Sequence, residues 1–156
     1  MRVFAWALLI LMSGDVLPPL LLAGDPGGRA QYIGGTVAAL PSKSEGRLNI
    51  TGEEALLFRT KQASVRIPYT QINTLEYGQR VNRRYVEAVL ISPLLLLAKK
   101  RKHFLTVGYT DEHGKQQALV FRVDKNSIRP TLAALEARTG QKIQYQDEQA
   151  RKARNQ

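Results

Sequence analysis

The sequence predicts a mainly β domain followed by one C-terminal helix, an α+β chain, with a short apolar helical insertion around residues 86–98. Three observations predict it. Between Gly46 and Val123, apolar and polar residues alternate in short runs separated by turn residues, which is the period of half-buried strands. Ile128, Leu132 and Leu135 instead recur at helical spacing, and Gly140 stands where a left-handed residue ends a helix. Tyr85 to Ala98 follows neither pattern, being apolar except for Glu87, Ser92 and Pro93.

The elements follow in order along the chain. Met1-Arg2 is a positive start, and Val3 to Met12 is an apolar run of the length found in export signals. Asp15 and Pro18-Pro19 interrupt it, and Ala23-Gly24 offers small residues for cleavage, so residues 1–24 are expected to be a signal peptide. The run is too short to span a bilayer, which takes ~20 apolar residues. Without cysteine there is neither a disulfide framework nor a lipid-attachment thiol. Residues 25–31 are expected to be a flexible leader.

Tyr32 to Leu40 is a first strand or lead-in. Gly46–Ile50 and Ala55–Arg59 flank the turn residues Thr51-Gly52-Glu53-Glu54 and form a hairpin. Val65-Arg66-Ile67 alternates up to Pro68, and Ile72, Leu75 and Tyr77 continue in extended conformation to Gly78. The clearest strands are Phe104–Tyr109 and Ala118–Val123, paired antiparallel around Asp111-Glu112-His113-Gly114-Lys115. Asp124 or Ser127 caps the helix, with Pro130 expected in its first turn and Ala133, Ala134 and Ala137 keeping its packed face shallow. Ile143 and Tyr145 add a last short strand, and residues 147–156 are expected to be a disordered basic tail.

The net charge of +10 is unevenly spread. Arg80, Arg83, Arg84, Lys99, Lys100, Arg101 and Lys102 face one carboxylate, Glu87, in the window from 80 to 102. Arg151, Lys152 and Arg154 crowd the last residues, and the rest is close to neutral. Charge this localised is an electrostatic footprint for an anionic partner. The apolar residues Val89, Leu90, Ile91, Leu94, Leu95, Leu96 and Leu97 lie between its two basic ends. As a helix, Tyr85–Ala98 would be ~21 Å long, short of the ~30 Å hydrocarbon core. It can lie in one leaflet with its cations at the headgroups, or pack within the domain or against another copy.

The strand run closed by one amphipathic helix, with "VRIPYTQINTLEYG" (Val65–Gly78) in the third and fourth strands, resembles bacterial pleckstrin-homology-like (PH/GRAM-type) domains. The residues that carry the resemblance are Ile67, Pro68, Tyr69, Ile72, Glu76 and Tyr77, and it covers about Gly35 to Tyr145. It implies a PH-like domain at residues 32–146, a partly open antiparallel β-barrel capped by the helix. It further implies a module that binds membranes or proteins and is not an enzyme. The basic cluster departs from the phosphoinositide-binding pattern of that family. It surrounds the insertion, whereas only Lys43, Arg47 and Arg59 lie near the first hairpin loop.

No catalytic residue, metal ligand or cofactor is assigned. His103 and His113 have no partner at metal-ligand spacing, and the adjacent carboxylates Glu53-Glu54 and Asp147-Glu148 point to opposite faces of an extended chain. The functional expectation is a non-catalytic exported module. It would associate peripherally with an anionic membrane surface or envelope polymer through residues 83–102. The alternative is a soluble exported interaction domain that buries this segment in a homo-oligomer or a protein partner. Nucleic acid is disfavoured, because aromatic residues are not interleaved with the basic ones.

Overall fold

A computed structural model of the chain describes residues 26–79, 102–146 and 151–152. The expected signal peptide, the insertion with all its apolar positions, and every basic site residue except Lys102 lie outside the described residues. Among the described residues the fold is mainly β: one open sheet of eight strands and a helix that follows its seventh strand. The strands are β1 (Gly27–Gly35), β2 (Glu45–Asn49), β3 (Ala55–Thr60), β4 (Ser64–Pro68), β5 (Ile72–Gly78), β6 (His103–Thr110), β7 (Gln116–Val123) and β8 (Gln144–Tyr145). A single 3-10 turn, Tyr69–Gln71, joins β4 to β5, and the helix α1 spans Lys125–Thr139.

The sheet order is β4-β3-β2-β1-β7-β6-β5-β8. Two antiparallel runs, β1 to β4 and β5 to β7, therefore join where β1 pairs antiparallel with β7. Short β8 adds to β5 in parallel. Alternation decides which face becomes core. Leu48, Leu56, Phe58, Ile67, Leu75, Leu105, Val107, Leu119 and Phe121 are buried together with Ile128, Leu132 and Leu135 of α1. Ile33, Phe104 and Val120 are also buried but stand outside that cluster. Strand β6 is buried without interruption from Phe104 to Tyr109, so both of its faces are covered.

Several expectations change. β1 begins at Gly27, within the stretch expected to be a leader. Glycine has low strand propensity, but this end of the strand is fixed by tertiary contacts. Gly27 has φ +106°, its N–H donates to Thr131 Oγ1 of α1 at 2.9 Å, and a Cβ there would lie 2.1 Å from the Leu48 carbonyl oxygen. Only a residue without a side chain fits that approach. The Val65–Gly78 motif occupies the fourth and fifth strands, because Gly27–Gly35 is a full strand and not a lead-in and five described strands precede residue 80.

The helix starts earlier than Pro130 implies. Asp124, extended at φ −64° and ψ 145°, is its N-cap, so Pro130 lies in the second turn and removes a donor there. Its packed face includes buried Thr131, while Ala133 and Ala137 are exposed and Ala134 packs only partly against the core. Gly140, at φ 69°, ends the helix as its spacing indicates, with its N–H on the Glu136 carbonyl. Of the expected tail only Arg151 and Lys152 are described, and both are helical and exposed.

Candidate anion-binding site

The site is built from the β5–β6 connection outward. β5 and β6 are antiparallel neighbours, with Gly78 opposite Phe104 and Tyr77 opposite Leu105. A connection between such strands must leave and return at one end of the sheet, so Gln79 and Lys102 mark the two ends of the basic-flanked segment side by side. Next to Lys102, the His103 ring stacks on Tyr77, with centroids 6.0 Å apart and planes 8° apart. Tyr77 Oη lies 2.6 Å from His103 Nδ1. Tyr77 also meets Tyr145 edge-on at 6.1 Å, and its carbonyl accepts the Gln146 N–H at 3.1 Å. The sequence reading left Tyr77 as a strand residue of the resemblance, yet it ties β5, β6 and β8 together at the root of the insertion.

Helix α1 brings further cations to this end. His103 is opposite Val123, the last residue of β7, and the helix begins two residues later. Burial pushes the His103 imidazole below its ordinary value, and the positive charges of Lys125 and then Arg129 push it further the same way. Lys102 precedes His103 in the chain and the charges of Lys125 and Arg129 act on the same ring, so the start of β6 is a cationic environment. The sequence reading found Lys102 and missed the two helical cations, whose position depends on how α1 meets the sheet.

The His103 environment has a consequence for stability. The unfolded chain takes up this proton near the ordinary value of 6.5, whereas the folded chain resists it. Over that window the unfolded state binds more protons, so this contribution is present above 6.5 and is lost as pH falls through the lower folded-state value. Urea unfolding between about pH 7.5 and about pH 5 is expected to show stability falling with pH, and His103→Gln to flatten that slope. Equal slopes in the two proteins would contradict this assignment.

The other candidate residues have structural partners. Asp111 Oδ1 accepts the N–H groups of His113 and Lys115 at 3.0 and 2.9 Å and so shapes the β6–β7 turn. Those bonds and one from the Gln117 side chain hold its carboxyl below the usual range, the Gln117 bond most of all. Glu54 pairs with Arg66 at 2.7 Å. Arg138 donates to the carbonyls of Gly52 and Thr51 at 2.6 and 3.0 Å and lies 5.7 Å from the Tyr69 ring centre, clamping α1 to the β2–β3 turn.

Of the residues assigned near the first hairpin loop, Lys43 is in the β1–β2 connection, while Arg47 and Arg59 lie on β2 and β3. Among the described residues no group of three or more His, Cys, Asp or Glu side chains could hold a metal ion, and no helix is long and apolar enough to cross a membrane. No family model matches the chain, and no curated protein shows significant similarity to it.

Proposed function

We propose that this chain is a non-catalytic exported module of the PH-like kind that associates peripherally with an anionic membrane or envelope component through residues 83–102. One observation supports this most. Antiparallel pairing of β5 with β6 puts Gln79 and Lys102, the described residues that flank the basic-ended apolar segment, at one end of the sheet, where the charges of Lys125 and Arg129 act on His103. In the sequence, the segment's apolar middle lies between two basic ends, the composition that docking on a charged surface requires. The strand order, with two antiparallel runs joined through β1 and β7 and a C-terminal helix on the core, is compatible with the PH-like architecture.

A second reading draws on the apolar content of the same segment, since a large exposed apolar patch is unusual on a free monomer. On this reading the segment is buried in an oligomer or partner interface. Co-sedimentation of residues 25–156 with anionic and neutral vesicles separates the two. Surface docking gives binding that needs anionic lipid, whereas the interface reading gives a concentration-dependent mass in solution and no vesicle binding.

A further inference from the structure

His103 is the first residue of β6 and directly follows Lys102, the last residue of the segment proposed to meet an anionic surface. Its ring is half-buried, with groups from several elements around it. Tyr77 of β5 stacks on it with centroids 6.0 Å apart, and Tyr77 Oη is 2.6 Å from Nδ1. Tyr145 of β8 meets Tyr77 edge-on. Val123 of β7 is opposite His103 in the ladder, and Asp124 and Lys125 follow it in the chain. Lys125 and then Arg129 bring the positive charges of α1 to bear on the ring.

The Tyr77 contacts suit a charged ring. A protonated imidazole carries N–H on both nitrogens, so Nδ1 can donate to Tyr77 Oη. The ring also lies against the face of Tyr77, where a cation is attracted. What opposes the charge is burial first and then the neighbouring cations. An anionic surface held at Lys102 offsets those cations, since its potential extends about 10 Å at 0.1 M salt. We propose that attachment to an anionic lipid surface is coupled to proton uptake at His103, so that the chain holds on more tightly as pH falls. This coupling rests on the attachment proposed for residues 83–102, to which it adds one cation.

A surface that favours the charged ring leaves more protons on the bound chain than on the free one, so by linkage affinity rises as pH falls. The rise begins as pH drops through the bound chain's value and is complete below that of the free chain, which lies under the ordinary 6.5. One more cation at an anionic lipid surface strengthens binding by about fivefold. His113, the other histidine of the chain, is in the β6–β7 turn beyond the far end of the same strand. From His103 to Thr110, β6 spans roughly 24 Å, more than twice the reach of the surface potential. A surface docked at Lys102 therefore acts on one histidine and not on the other.

The test is co-sedimentation of the full chain with vesicles of phosphatidylglycerol and phosphatidylcholine in equal parts, at about pH 7.5 and about pH 5.5. The anionic headgroup is a phosphodiester, without the second ionisation that a phosphate monoester has near pH ~6, so the surface keeps its charge. The parent is expected to bind more tightly at the lower pH, approaching about fivefold, and to take up protons from weakly buffered solution when the vesicles are added. H103Q is expected to bind as the parent does at the higher pH and to lose most of both effects, and H113Q to keep them. Residues 1–24 are common to all three chains, so their contribution cancels in each comparison. Proton uptake by H113Q leaves His103 untouched and so covers the case of an H103Q variant that folds poorly. Anionic-vesicle binding that is equal at both pH values, equal pH dependence in the parent and H103Q, or proton uptake abolished in H113Q would overturn the coupling and leave the attachment standing. No binding to these vesicles at either pH would overturn both.

Discussion

Phe121→Ala is expected to lower the stability of the domain by about 3–5 kcal/mol, the range for deleting a fully buried aromatic ring. Phe121 lies on β7 with no exposed surface. Its ring centre is 4.9 Å from that of Phe58 on β3 and 6.1 Å from that of Tyr32 on β1, both tilted. It therefore bridges the two antiparallel runs where β1 joins β7, and a cavity there loosens both. Domains of this size are stable by only about 5–15 kcal/mol, so the variant retains a small margin at best. Urea unfolding of parent and variant measures the difference. A loss under about 1 kcal/mol would show that the two runs do not share one core.

Replacing Lys99, Lys100, Arg101 and Lys102 together by glutamine is expected to have an effect of similar size on surface binding. A basic residue near an anionic lipid surface contributes about 1 kcal/mol, so removing four weakens binding by up to roughly 1000-fold. The loss is largest at low salt, because the attraction decays over a Debye length of about 10 Å at 0.1 M. Stability is expected to change little, since Lys102, the one described member of the run, is only partly buried next to the already cationic environment of His103. A variant that folds normally and binds vesicles as the parent does would show that the run is merely a solvated connection.

Much of the fold is legible in local sequence. The β6–β7 hairpin follows from two alternating runs around Asp111 and Gly114, and these residues do shape the turn, Asp111 by accepting two backbone N–H groups and Gly114 by its φ of 75°. Gly140 is legible for the same reason, because an end-of-helix left-handed residue is a local requirement. The start of β1 is not, because Gly27 is held by Thr131 and Leu48, partners far away in the sequence. The helix phase is legible, since Ile128, Leu132 and Leu135 form its buried face and Asp124 is its cap, but with that start Pro130 lies in the second turn and not the first. The charge map shows the same division. A run such as Lys99–Lys102 is visible in one dimension, whereas Lys125 and Arg129 come to act on His103 only through the way α1 meets the sheet.

The measurement that bears most directly on the proposed role is co-sedimentation of residues 25–156 with anionic and neutral vesicles, each at about 0.05 M and about 0.5 M salt. The account predicts binding that requires anionic lipid, weakens at the higher salt and collapses in Leu95→Asp, which places a charge in the apolar middle of the segment. Failure to bind under every condition, or binding that Leu95→Asp leaves intact, would contradict it.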